Sequence, residues 1–165
     1  MIKLKEITSD NVDKVVSLEL EESQKGFVYA NGYSLAHAFI SLRDDKIPSV
    51  PLAILNGEEV VGFLMYEYCV KAQAESDEQE DYFYDEPYYH LFRYMIGKGH
   101  QGKGYGKLAM EQLINHIKTK PQGEADVLFI CFEPENCVAK KFYESFGFVD
   151  TGLIVEGENI TKLAI

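Results

Sequence analysis

With 165 residues, 46% hydrophobic, 26% charged and 13% aromatic, the chain reads as one globular domain spanning 1–165, with enough apolar side chain for a substantial core. No apolar run approaches the ~20 residues that span a bilayer, and the first fifteen residues show no secretory pattern, so no membrane partner is expected and the cytoplasm is the expected compartment. Sixteen basic against 27 acidic residues give a net charge of −11, which argues against nucleic acid as a partner and permits cationic ligands.

Residues 2–7 alternate apolar and polar as a half-buried strand does, and Thr8, Ser9 and Asp10 offer a cap for a helix carrying Val12, Val15, Val16, Leu18 and Leu20. A second helix is expected from Ser34. Pro48 and Pro51 bracket the entry to an apolar strand at 52–55, and Asn56-Gly57 signals a hairpin into a strand running from 60 to about 70. After the acidic stretch 75–86, the aromatic run 88–96 has strand composition. A glycine-rich turn, 97–106, then leads to a helix ended before Pro121. A buried strand at 127–132, a helix at 136–146 closed by Gly147, and strands at 148–153 and 159–165 complete the pattern. Cys69, Cys131 and Cys137 form no disulfide framework and no metal-ligand spacing with the four histidines, so no metal is expected.

The sharpest local signal is His100-Gln101-Gly102-Lys103-Gly104-Tyr105-Gly106-Lys107, between a strand and an amphipathic helix. Its glycines permit positive φ and a close approach to the backbone, and the free N–H groups of a helix start attract anions. Lys103 and Lys107 reverse the local charge, which favours a phosphate. The blander alternative is a turn that only caps a helix. The spacing fits neither GxxxxGK[ST] nor GxGxxG in a βαβ unit.

Asn136 opens the next helix, either as its cap or as a hydrogen-bonding group for a ligand amide. Phe142 lies near the apolar stripe with Ala139 and Phe146. Tyr143 lies off it, as a surface residue or as a phenol aimed into a cleft. Cys131 and Cys137 read as packing residues rather than nucleophiles.

Together these segments resemble the GCN5-related N-acetyltransferase (GNAT) superfamily over nearly the whole chain. Gln101-Gly102-Lys103-Gly104-Tyr105-Gly106 is similar to that family's [QR]xxGx[GA] motif, and Asn136, Ala139, Phe142-Tyr143 and Phe146-Gly147-Phe148 to its second motif. Ser34-Leu35-Ala36, 61–66 and 93–96 resemble the bacterial spermine/spermidine branch. The resemblance implies an α+β, three-layer fold: a mixed, mostly antiparallel sheet of six to seven strands, about four helices, and a splay between the fourth and fifth strands. It implies acetyl-CoA as cosubstrate and direct transfer to a small-molecule amine. On this resemblance the backbone of Tyr94, Met95 and Ile96 meets pantetheine, the amides of 101–107 hold the pyrophosphate, Asn136 touches the pantetheine side, and Tyr143 protonates the departing thiolate. Some polyamine acetyltransferases carry a glutamate where this chain has Phe92, so His90 and Glu67 stand as alternative bases. Terminal strands often join subunits in this family, which allows a homodimer.

The stretch 75–86 holds seven carboxylates and no basic residue, and without it 16 basic residues face 20 acidic ones. Glu78, Glu80, Asp81, Tyr82 and Tyr84 would suit the ammonium groups and methylenes of a polyamine, or would form a solvated loop. Two rival readings remain: acetylation of a protein N-terminus, lysine or amino-sugar, and a non-catalytic coenzyme-A-binding regulatory module.

Overall fold

The computed structural model describes residues 1–43, 47–70 and 85–165. Seven strands, β1 (Ile2–Glu6), β2 (Ser49–Asn56), β3 (Glu59–Cys69), β4 (Tyr88–Ile96), β5 (Val127–Phe132), β6 (Val149–Val155) and β7 (Glu158–Ala164), form one sheet ordered β1-β2-β3-β4-β5-β7-β6. Helices α1 (Val12–Val16) and α2 (Asn31–Arg43) pack on one face, α3 (Tyr105–Ile117) and α4 (Cys137–Glu144) on the other. All strand pairs are antiparallel except β4–β5. The expected three-layer α+β architecture is present.

Strand alternation sorts the core. Tyr89, Leu91, Tyr94 and Ile96 of β4 meet α3 and α4, where Ala109, Met110, Leu113 and Ile117 form a buried helical stripe. Each fully buried Leu, Ile or Met there contributes about 1.5–3 kcal/mol. Met95 faces the other layer, with Val15 of α1 and Ala38 of α2.

Two irregularities shape the site. The β3–β4 register runs Tyr66↔Leu91 and then Met65↔Arg93, so Phe92 is an extra residue in β4. β5 pairs with β4 only at Tyr89, His90 and Leu91, through Leu128, Phe129 and Ile130. Beyond Leu91 no strand among the described residues pairs with that edge of β4, and the two strands diverge.

Several local expectations are corrected. The helix from Val12 does not reach Leu20 but ends at Val16; Leu18 and Leu20 pack against the core from the following loop, so their spacing reflects packing rather than helical period. Asn11, not Thr8, Ser9 or Asp10, precedes α1, and its side chain ties the preceding loop to Glu6 O (2.8 Å) and Thr8 N (2.9 Å). α2 begins at Asn31 rather than Ser34, because the buried Asn31 amide donates to Val15 O at 2.9 Å and fixes the helix start. Pro51 lies inside β2 rather than at its entry; β1 pairing stops at Leu52, so one edge is open where the proline lacks a donor. β6 runs on to Val155 through an irregularity at Gly152, whose φ is 74°.

Candidate functional site

The splay opens a cleft of about 1570 Å³. Its walls are 91–96 of β4, the loop and helix start at 100–102 and 104–107, the end of β5 with the start of α4 (131–139), Phe142 and Tyr143, the β6–β7 turn at 156–158, and 23–30. Tyr94, Met95, Ile96, Gln101, Gly102, Gly104, Tyr105, Gly106, Lys107, Asn136 and Tyr143, separated by up to fifty residues in sequence, thus share one cavity.

The loop before α3 is built to leave donors open. Gly104 is the N-cap at φ 77°, with no side-chain cap, and Gly102 has φ 73°. Nothing lies within 4 Å of a Cβ built on either glycine. The first-turn N–H groups of the 13-residue helix therefore have no side-chain acceptor and face open space at the positive end of the dipole. Gln101 anchors the loop: its Nε2 donates to Ile96 O (2.9 Å) and Gln24 Oε1 (2.8 Å). Tyr105 turns away, its hydroxyl accepting from Asn56 Nδ2 at 3.1 Å, so it offers the cleft its main chain. Lys107 lines the cleft, whereas the exposed Lys103 is not among the lining residues and donates from Nζ to Gly99 O at 2.9 Å.

Along β4 the side chains are engaged elsewhere. The Tyr94 hydroxyl donates to Gly106 O at 2.5 Å and its ring stacks on Phe142 at 5.9 Å, while Met95 Sδ lies 3.7 Å from Asn31 Nδ2. What these residues present to the gap is backbone. Asn136 caps α4, its Oδ1 accepting from Ala139 N at 3.0 Å, so the capping reading of that residue is realised.

Tyr143 is buried, not a surface residue, with its ring 5.8 Å from Phe132 and 5.9 Å from Phe148. Burial, reinforced by the charges of Glu158 and Cys131, pushes its phenol well above the ordinary range. It stays protonated at neutral pH and is available as a donor.

His90 and Glu67 are cross-strand partners on one face of the sheet, and neither is among the residues lining the cleft. The Ser49 hydroxyl donates to Glu67 Oε1 at 2.6 Å; burial raises that carboxyl, partly offset by Ser49 and Arg93. His90 Nε2 sits 3.3 Å from Cys131 Sγ, and burial together with the Arg93 charge lowers its ring to about 4. Glu78, Glu80, Asp81, Tyr82 and Tyr84 lie outside the described residues.

Sequence reasoning missed four carboxylates that line the cleft: Glu133 and Glu135 after β5, and Glu156 and Glu158 at the β6–β7 turn. It also missed Arg93, whose guanidinium lies over the Tyr29 ring at 4.7 Å. Glu156 (φ 49°) and Gly157 (φ 87°) make a two-residue turn with both centres left-handed, the hairpin geometry that sets Glu158 opposite Val155. The Glu-Gly-Glu run between two apolar strands was the available signal.

A family model described as the Acetyltransferase (GNAT) family matches residues 15–148. The chain belongs to that family. It is accordingly an N-acetyltransferase whose acyl donor is acetyl-CoA. The uncapped start of α3, the paired positive-φ glycines and the unpaired edge of β4 suit a diphosphate followed by an amide-bearing arm.

Among relatives, a "Probable spermine N(1)-acetyltransferase" of Bacillus subtilis subsp. natto (strain BEST195) is 27% identical over 162 residues, covering 96% of this chain and 95% of that protein. A "Spermine/spermidine N(1)-acetyltransferase" of Bacillus subtilis (strain 168) is 26% identical with the same coverage. Aminoglycoside acetyltransferase AAC(6')-Ib, solved in complex with coenzyme A, superposes with a TM-score of 0.74 at 13% identity, covering 99% of this chain and 95% of that one, a likeness of fold. No helix among the described residues is long and apolar enough to cross a membrane.

Proposed function

We propose that this acetyltransferase moves the acetyl group directly from acetyl-CoA to a primary amine of a polyamine such as spermine or spermidine, in the cleft between β4 and β5. The observation that carries the substrate class is the whole-length similarity to two spermine acetyltransferases. Four carboxylates in the cleft wall support it, and the sequence adds seven more at 75–86. Opposite charge raises the local concentration of a polycation and its rate of arrival.

In this reading the amides of Gln101, Gly102, Lys103, Gly104, Tyr105, Gly106 and Lys107 hold the diphosphate. The main chain of Tyr94, Met95 and Ile96 pairs with the pantetheine amides as a missing strand would, and Asn136 borders the same arm. Holding the thioester and the amine at near-attack distance supplies much of the acceleration. An alkylammonium must lose a proton before its nitrogen can attack, and the leaving thiolate gains one from the Tyr143 phenol.

A coenzyme A release assay over spermine, spermidine, an aminoglycoside, a lysine peptide and a peptide N-terminus tests the reading. Expected are the highest kcat/KM values for the two polyamines, falling steeply with ionic strength. Preference for a peptide or aminoglycoside overturns the substrate class, and no release with any amine overturns catalysis.

A further inference from the structure

We propose that Glu158 is the base that takes the ammonium proton of the acceptor amine, working from the face of the sheet opposite Tyr143. The proposal rests on acyl transfer in the cleft described above, and it holds for any amine acceptor.

Strand alternation places the two groups. Tyr143 belongs to the core beneath α3 and α4, beside Phe132. Ile160, two residues after Glu158 in β7, is buried with Phe129 on the other face, and Cys131 packs there too. Glu158 therefore leaves the sheet on the side of α1 and α2, at the edge of the gap where β5 ends. The β5–β7 register runs Cys131↔Ile160 and Phe132↔Asn159, so Glu158 is the next residue along, beside the mouth left by the diverging strands. Direct transfer uses an acid at the leaving sulfur and a base at the attacking amine, and the two faces of the sheet at the gap supply one each.

Among the cleft carboxylates, Glu133, Glu135 and Glu156 are exposed and Glu158 is half-buried. Burial raises its carboxyl; the Glu133 charge adds to this, Arg93 opposes it, and Glu156 adds a little more. A raised carboxylate is a better proton acceptor than an ordinary one. His90 and Glu67, by contrast, sit behind the cleft wall in contact with Cys131 and Ser49. The same charge of Glu158 is felt at Tyr143.

Glu158 takes one proton from R–NH₃⁺ and releases it to solvent. The freed nitrogen pair forms the C–N bond at the acetyl carbonyl, and collapse of the tetrahedral adduct breaks the C–S bond. The sulfur takes the Tyr143 proton, and the surplus proton on the amide nitrogen returns to the phenolate. The products are the amide, the free thiol and one proton.

The test is Glu158→Gln, assayed with whichever amine of the panel the wild type acetylates fastest. We expect kcat/KM to fall about 10²- to 10⁴-fold, acetyl-CoA affinity by calorimetry to stay within twofold, and the acid limb of the pH profile to vanish. Glu158→Asp should recover part of the rate and the limb. A Glu158→Gln enzyme within threefold of wild type, its acid limb in place, overturns the proposal. Polyamines left unacetylated while another amine reacts overturn the substrate class alone.

Discussion

Replacing Gly104 with alanine separates the strain of the α3 loop from its ability to bind an anion. The residue sits at φ 77°, where an L side chain costs about 1–2 kcal/mol. For a chain of this length that lowers Tm by roughly 2–8 °C. No atom lies within 4 Å of the added Cβ, so the penalty in the free protein is backbone strain alone. In the proposed complex with acetyl-CoA that open space is the approach to the helix-start amides. Losing one N–H contact to a charged oxygen there costs about 1.5–3 kcal/mol, so the Kd for acetyl-CoA should rise about 10- to 150-fold. Gly57→Ala is the control: φ is 63°, the surroundings are equally open, and the residue lies at the β2–β3 hairpin. It should lose similar Tm and keep its Kd. Thermal melts with calorimetric titration measure both. A Gly104→Ala protein that melts lower yet binds within threefold of wild type would refute the assignment of the anion site.

Tyr143→Phe should cut kcat by about 10²-fold or more with acetyl-CoA affinity unchanged in calorimetry. Because burial lifts that phenol, wild-type turnover should show no alkaline loss from Tyr143 below about pH 10, and such a loss reproduced in the phenylalanine variant would belong to another group. His90 makes stability depend on pH. The unfolded ring binds its proton near pH 6.5 and the folded ring only at about 4, so the unfolded chain takes up the proton between them. Stability therefore falls as pH drops from 6.5 towards 4 and is level above 6.5. Glu67 and Glu158, whose folded carboxyls are raised, act with the opposite sign in the acid range, so the contrast between wild type and His90→Gln isolates the histidine. With some discount for partial exposure it contributes roughly 2 kcal/mol, and parallel melting curves for the two proteins from pH 4.5 to 7 would contradict it.

The sheet was legible in the sequence because alternation and the Asn-Gly turn are local signals. The open loop before α3 was legible because glycine, helix start and lysine coincide within 101–107. The length of α1 was not: Leu18 and Leu20 keep helical spacing while packing from a loop, and periodicity records burial whatever backbone delivers it. Asn31 was hidden because a buried amide holding Val15 O and touching Met95 is a tertiary fact, 16 and 64 residues from its partners. Tyr143 was left between surface and cleft, and the walls of Phe132 and Phe148 settled its burial. Glu158 escaped notice because a carboxylate in a turn looks solvated until β7 is set beside β5. His90 and Glu67 were chosen from one strand and the next, and their shared register shows them as neighbours of each other, apart from the cleft lining.

The most direct measurement is an amide-resolved NMR titration with acetyl-CoA. Main-chain N–H signals of 101–107 should shift most, followed by 94–96, with Gly57 and the β1–β2 pair unmoved. Shifts centred elsewhere, or saturation with the 101–107 signals unmoved, would contradict a diphosphate held by the backbone at the start of α3.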